Sequence, residues 1–345
     1  MRQTTFSIVI PVHNGETFIG HALESALQQT RRADEVLVVD DASTDRSREI
    51  ICSNNWRGEV TCLYNDTPTG FVDAWNRAVQ KATGDFVTIL HQDDLLYSEY
   101  LENIEKGLKK YVHVRHIYAA CDYIDGDGSV IRNFPGPRSL EPVLFTGKEY
   151  AHNYLMGVLS NQHIHRCPGV TTSRKLLLNQ CTYRKEAGHI ADDDFFLRVG
   201  MFTDVIGIAY PLASYREHAN SQTHSLHSLS LQLAKDYVFQ AEYYREHNVL
   251  LDPEDIVRIN QMAARFTNLL LFQSLLYRNK EWFEKAHDLR DELEHLLNGY
   301  MGKYLPSWAR LMWASSGHTN NNCLARHYVK SLNSIRKFRD SIRKT

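Results

Sequence analysis

Two adjacent aspartates end an apolar run: Thr88-Ile89-Leu90 is followed directly by His91, Gln92, Asp93 and Asp94. Neighbouring carboxylates suit a hard divalent cation, Mg2+ or Mn2+, which one or two protein acids hold together with water and the phosphate oxygens of a ligand. One acid can then reach the ion while the other takes a ligand hydroxyl or steadies a bound water. Taken alone, such a pair reads equally as a solvated turn or a helix cap. A second acidic stretch, Asp40-Asp41-Ala42-Ser43-Thr44-Asp45, follows another apolar run, and a third, Asp192-Asp193-Asp194, precedes Phe195-Phe196-Leu197-Arg198. Three acids before a helical stretch also suit the positive end of a helix dipole. His163-x-His165 would share one side of a strand and suggest zinc, but no further His, Cys or acid follows at ligand spacing. Asp125-x-Asp127 lacks the later Glu of a calcium loop, and Asp127-Gly128 reads as a hairpin turn.

The elements around these groups decide where they emerge. Phe6–Val12 and Glu35–Asp40 are short, β-branched runs of the kind buried on both faces of a parallel sheet. Between them, Phe18, Ile19, Ala22, Leu23, Ala26 and Leu27 recur at helical spacing within Glu16–Gln29. Ser43 and Thr44 are expected to cap the next helix. Val60–Tyr64 is a third strand, Gly70–Ala82 a third helix stopped at Gly84, and Phe86–Leu90 a fourth strand. This alternation predicts an α/β fold with a doubly wound, mostly parallel sheet. Ligands of such sheets lie beyond the carboxyl ends of the strands, so Pro11–Asn14, Asp40–Asp45 and His91–Asp94 should meet on one edge. After Tyr118 the pattern turns to short strands, among them a hairpin over Tyr123–Val130 and a strand over Val205–Tyr210. Beyond about Ser225, helix formers dominate Leu229–His247, Asp252–Tyr277, Lys280–Leu297 and Tyr328–Ile342, with Pro253 in a first helical turn. The expected domains are residues 1–225 and a helical C-terminal domain, residues 226–345.

Composition removes several function classes. In 345 residues, 39 Lys and Arg face 41 Asp and Glu, a net charge of −2, so no global field draws the protein to nucleic acid or membrane. Six scattered cysteines without a C-x-x-C pair fit a reducing cytosol. Pro11 interrupts the first apolar run, which reads as a strand and not a signal peptide. No segment nears the roughly 20 apolar residues that span a bilayer. A cytoplasmic location is expected, with a peripheral one on the inner face of the membrane as the variant. That variant comes from Arg326–Thr345, where seven basic residues meet one Asp, with Tyr328, Leu332, Ile335, Phe338 and Ile342 at helical steps. Such a helix lies on anionic lipid or docks on its own domain or a second subunit, which leaves a homo-oligomer through the C-terminal helices open.

The stretches "SIVIPVHNGETFIGHALESALQQT", "EVLVVDDASTDRS", "TGFVDAWNRAVQKATGDFVTILHQDD" and "ADDDFFLRV" resemble, in order and spacing, the motifs of family 2 glycosyltransferases, inverting enzymes of the GT-A fold that use nucleotide sugars. The likeness covers about residues 5 to 220 and is specific for the family, not for the substrate. It implies a GT-A domain with a helical C-terminal extension, a nucleotide-diphosphate sugar donor, UDP most often, and Mn2+ or Mg2+. The acceptor it implies is a glycan or lipid-linked saccharide in cell-surface polysaccharide synthesis. By this resemblance Pro11 and His13 border the nucleotide, Asp41 accepts a hydrogen bond from the base, and Asn76 matches a motif asparagine. Asp93 and Asp94 hold metal, diphosphate and ribose. His91 departs from the family's first Asp, and hydrogen-bonds the ribose or leaves the metal to Asp93 and Asp94. Asp192 is the base that deprotonates the acceptor, with Asp193 as second choice, while Ala191 replaces a usual Glu. Tyr215-Arg216-Glu217-His218 resembles the family's Tyr-Arg-x-His segment, so Arg216 stands near phosphate and His218 near metal. His163 and His165 fall where contacts to acceptor are expected, Trp75 and Tyr97 offer faces for sugar rings, and core packing competes for Trp75. Two rivals are weighed. A sugar nucleotidylyltransferase needs a Gly-rich, basic loop that "PVHNGETF" lacks, and a non-catalytic sugar-nucleotide or glycan-binding relic is suggested by His91 and Ala191.

Overall fold

A computed structural model describes residues 3–53, 56, 58–160, 162–218, 236, 240, 243, 244, 246, 247 and 251–259. The chain divides into two compact units, residues 1–224 with 244–255 and residues 225–243 with 256–345. The first holds the site and is the one described. Of the helices expected after Ser225, residues 253–259 are helical, and the segments 260–345, including the basic tail, lie outside the described residues.

Ten strands form one sheet: β1 Phe6–Val12, β2 Glu35–Asp40, β3 Thr61–Tyr64, β4 Phe86–Ile89, β5 Leu95–Leu96, β6 His116–Ile124, β7 Val130–Arg132, β8 Val143–Phe145, β9 Val170–Ser173 and β10 Val205–Arg216. The order is β3-β2-β1-β4-β9-β6-β10-β5, with β7 on β6 and β8 on β10. β3, β2, β1 and β4 run parallel, as do β6 and β10, and the antiparallel ladders are short, so by paired length the sheet is mostly parallel. This is the predicted α/β class. Short antiparallel β9 lies between β4 and β6 and separates the two parallel parts.

The helices follow from their apolar spacing. α1, Ile19–Leu27, buries Ile19, Ala22, Leu23 and Ala26, a single stripe at steps of three and four. It packs with α4, Tyr100–Lys110, against Phe6, Ile8, Ile10 and Val12, the even face of β1. Full burial of Ile19 or Leu23 contributes roughly 1.5–3 kcal/mol each. α3, Phe71–Lys81, packs on β1 and β2 through Val72, Ala74, Trp75, Ala78 and Val79. α5, Gly147–Ser160, and α7, Ala191–Val199, lie against one another, with the short α6, Arg174–Asn179, between them in sequence. α2 is reduced to Ser47–Ile51, and Ser43 and Thr44 do not cap it. Asp45 does the nearest equivalent by accepting from the Ser47 N–H at 2.9 Å, because Ser43 and Thr44 are spent on the preceding loop. β10 runs past the predicted end at Tyr210. Pro211 cannot donate to the ladder, yet two register shifts around it carry the strand on to Arg216.

Candidate active site

Parallel register brings the first two loops together. Val12 pairs with Asp40, so the residues that follow, His13 and Asp41, leave the sheet side by side. His13 Nδ1 donates to the Asp41 carbonyl at 2.7 Å, the Asn14 N–H donates to Ser43 Oγ at 3.0 Å, and the Thr44 N–H donates to Asn14 Oδ1 at 2.8 Å. Asn14 and Ala42 hold φ of 52° and 58°, a left-handed turn that the cross-bonding stabilises. Gln92, from the loop after β4, accepts from the His13 N–H at 2.8 Å and returns a bond to the His13 carbonyl at 3.2 Å. A Cβ at Gly15 would stand 2.7 Å from Gln92 Oε1, which explains glycine there. Pro11 is buried at the end of β1. Three loops distant in sequence thus form one assembly on the predicted edge.

Asp41 is buried and faces inward to the start of α3. Its carboxylate accepts from Asn65 Nδ2 at 2.6 Å, the Thr69 N–H at 2.9 Å, Thr69 Oγ1 at 2.8 Å and the Gly70 N–H at 3.0 Å. Burial works to raise its pKa, and these donors outweigh burial and leave it lowered. Asn76 is likewise committed to the protein. Its amide donates to the Tyr183 carbonyl at 2.8 Å and accepts from Thr182 Oγ1 at 2.8 Å, which ties α3 to the segment before α7.

His91, Asp93 and Asp94 cluster beyond β4, with one ligand atom from each within 4.8 Å of the others. Asp94 is 1% exposed. Its Oδ1 accepts from the Arg216 N–H at 2.8 Å, and its Oδ2 is buried without a hydrogen-bond partner. Burial, then the Asp93 charge, pushes its pKa well up. Burial also acts on Asp93, but a 3.0 Å hydrogen bond from His218 Nε2 and the His91 imidazole bring it below the ordinary value. Burial lowers the pKa of His91, whose ring stacks on Trp75 at 5.1 Å and whose Nε2 is buried and unpartnered. Trp75 is 8% exposed between His91, Phe71 and Tyr183, so its ring packs the core and buttresses His91. Two orphaned polar atoms beside adjacent carboxylates are a donor set that fits a hard cation. His91 thus stands with the two acids as the third potential ligand, and His218 orients Asp93.

Arg216 locks this loop from β10. Nε donates to the Asp93 carbonyl at 2.7 Å and Nη1 to the Asp125 and Gly126 carbonyls at 2.8 and 3.1 Å, while Cζ lies 4.7 Å over the Phe18 ring. Asp125 is the turn residue expected from sequence, accepting from the Asp127 and Ser129 N–H groups with Gly128 at φ 85°.

The acids at the start of α7 have three different surroundings. Asp194 is fully buried between Arg184 and Arg198, with Arg198 Nε at 2.8 Å and Arg184 Nε at 3.0 Å. Asp193 accepts from the Tyr154 hydroxyl at 2.6 Å. Asp192 is bound by no other side chain among the described residues. Burial and then the Asp193 charge push its pKa up to about 7, with Arg166 opposing. Both Asp192 and Asp94 act on the buried Cys167 thiol, which burial has already raised, so the two acids flank one 3-10 turn, Cys167–Gly169. A Cβ at Gly169 would fall 2.5 Å from the Ala119 carbonyl, so this turn is seated tightly on β6. The acids after β4 and at α7 therefore both lie within electrostatic reach of this turn.

Arg166 escaped the sequence reading because a lone arginine carries no pattern. His163 and His165 are not on a strand. His165 stacks on Tyr150 with its Nε2 2.8 Å from the Tyr150 hydroxyl, inside an aromatic cluster with Tyr118, Tyr154 and Phe196. Tyr97 is half-buried in the loop after β5.

Residues 7–154 match the family model described as Glycosyl transferase family 2. Amylovoran biosynthesis glycosyltransferase AmsB of Erwinia amylovora is 28% identical over 236 residues, 62% of this chain and 70% of that protein. An uncharacterized glycosyltransferase of Haemophilus influenzae is 34% identical over 127 residues, 35% of this chain, and the match spans only half of that relative's length. Among solved structures, TarS 1–349 of S. aureus in complex with UDP-GlcNAc has a TM-score of 0.57 at 17% identity, covering 83% of this chain and 80% of that one, a likeness of fold. A mostly parallel sheet with acids beyond its strand ends is a GT-A-like fold. Over residues 7–154 the chain is thus similar to glycosyltransferase family 2, and over a longer stretch to AmsB.

Proposed function

We propose that the protein transfers a sugar, with inversion, from a nucleoside diphosphate donor to a hydroxyl of a glycan or lipid-linked saccharide. The observation that carries this reading is Asp192, the acid of its triplet that has no side-chain partner among the described residues and that acts, with Asp94, on the same buried Cys167. A base must hold its proton loosely enough to release it and strongly enough to take it, and a carboxyl near neutrality meets both demands. Asp192 removes the acceptor hydroxyl's proton as that oxygen attacks the anomeric carbon and the bond to the diphosphate breaks on the opposite face. Asp93, Asp94 and His91 would hold Mn2+ or Mg2+, which supplies charge neutralisation for the departing diphosphate. Arg216 and His218 position those acids. Pro11, His13 and Asp41 border the base, with Asp41 acting by fixing the Thr69–Gly70 loop, and Asn76 supports the same wall through Tyr183. UDP is the first donor to try, since the similar fold of TarS was solved with UDP-GlcNAc. Because the similar AmsB is named for amylovoran biosynthesis, a glycan of cell-surface polysaccharide synthesis is the first acceptor class to test.

Asp192→Asn should cut transfer by about 10²–10⁴-fold, the range of a lost general base, while UDP-sugar binding followed by calorimetry is retained. Undiminished turnover by that variant would remove Asp192 from the role.

A further inference from the structure

A cationic cluster at the carboxyl end of β6 has no part in the donor, metal and base assignments above. The Arg132 guanidinium Cζ lies 3.6 Å from the centre of the Tyr123 ring, and Arg166 Nε donates to the Tyr123 hydroxyl at 3.1 Å. Arg166 Cζ also lies 4.9 Å over the Tyr215 ring, which meets Tyr123 edge-on at 5.7 Å. His163 completes the group. Its Nδ1 is buried without a hydrogen-bond partner, and burial followed by the Arg166 and Arg132 charges brings its pKa down to about 3.

Gathering two guanidiniums in a partly desolvated place is unfavourable unless negative charge meets them. The protein supplies some. Glu217 Oε1 accepts from Arg132 Nη2 at 2.8 Å, and Asp94, Asp192 and Asp193 lie within electrostatic reach of Arg166. None of these acids bonds the terminal Nη groups of Arg166, which have no hydrogen-bond partner among the described residues. A guanidinium held by tyrosines at one end, with its terminal donors unmet, is shaped to take an oxyanion in bidentate fashion.

The sheet order decides which molecule brings that anion. His13 and Asp41 follow β1 and β2, on one side of β4, whereas Tyr123 and Tyr215 belong to β6 and β10, beyond β9 on the other side. The cluster therefore lies away from the loops after β1 and β2, and Arg166 stands within electrostatic reach of both Asp94 and Asp192.

We propose that Arg166, Arg132 and His163 form an anion subsite that takes a phosphate or carboxylate carried by the acceptor and sets the acceptor beside Asp192. It rests on the transferase reading for the word acceptor, whereas the anion binding itself does not. The probe is inorganic phosphate, titrated by calorimetry into the full chain saturated with UDP and Mg2+, so that the donor's diphosphate position is filled. Phosphate should bind the UDP-saturated protein, and Arg166→Met and Arg132→Gln should each weaken it by about tenfold or more, the loss of one charge-assisted contact. UDP affinity should stay unchanged in both. Arg132 is 41% exposed in its side chain, so Arg132→Gln keeps the test readable if Arg166→Met does not fold. Phosphate that displaces UDP, phosphate that does not bind, or variants that bind it as the parent does would each overturn the subsite. If UDP fails to bind while phosphate binds in an arginine-dependent way, the donor reading falls and the subsite stands.

Discussion

Replacing Asp192 should strengthen the fold while ending the reaction. Its carboxyl stands at about 7 in the folded protein against an ordinary 3.8, because burial and the Asp193 charge disfavour ionisation more than Arg166 favours it. A folded pKa above the unfolded one means that the native state holds the proton more tightly. The resulting penalty is absent below the unfolded value, grows as pH rises from about 4 to about 7, and is complete above that. At about 1.36 kcal/mol per pH unit, the span from 3.8 to about 7 sets a ceiling of roughly 4 kcal/mol. Charge shared with Asp193 and local relaxation reduce this, so Asp192→Asn should gain about 1–3 kcal/mol at about pH 8. At about pH 4.5 the gain should shrink to roughly a quarter, because most of the penalty has then been titrated away. Urea unfolding of parent and variant at both pH values is the assay. A variant weaker than its parent at the higher pH, or a gain that ignores pH, would show that Asp192 is held by a favourable partner and that the reasoning is wrong.

Asp194 should behave in the opposite way. Asp194→Asn leaves Arg198 buried without its counter-charge and should cost about 3–5 kcal/mol, read as a lower urea midpoint. His116 provides an acid limb: burial pushes it down to about 3, so its contribution is full above the unfolded value of 6.5 and is lost as pH falls toward 3. Stability of the Asp192→Asn variant, from which the opposing slope is gone, should therefore fall between about pH 6.5 and pH 4, and His116→Gln should flatten that fall.

The first half of the sheet could be read from the chain because its signals are local. β1, β2 and β4 are apolar runs whose burial needs no distant partner to be recognised, and the polar residues at their ends inherit their place from parallel register. Asp93 and Asp94 stand where that pattern put them. The second half resists such reading because its signals are long-range. β9 contains Thr171 and Thr172, which look exposed in sequence, yet Thr171 is buried against the Thr88 and Tyr100 hydroxyls at 2.6 and 2.9 Å. Ser43 and Thr44 have capping chemistry, and tertiary bonds to Asn14 claimed them first. Nothing local to Arg216 announces that it reaches back to Asp93 and Asp94, and nothing local to Arg166 announces its tyrosines.

Arg216 has a consequence for the order in which the protein is made. The loops after β1 and β2 and their Gln92 tie are complete once the chain has passed Gln92, but the backbone and guanidinium that immobilise Asp93 and Asp94 arrive more than a hundred residues later, after Asp192 has been synthesised. A nascent chain therefore carries the loops after β1, β2 and β4 well before it carries the groups that fix Asp93 and Asp94. β10 thus acts as a safety catch, leaving the acidic cluster loose until the chain has been made as far as Arg216.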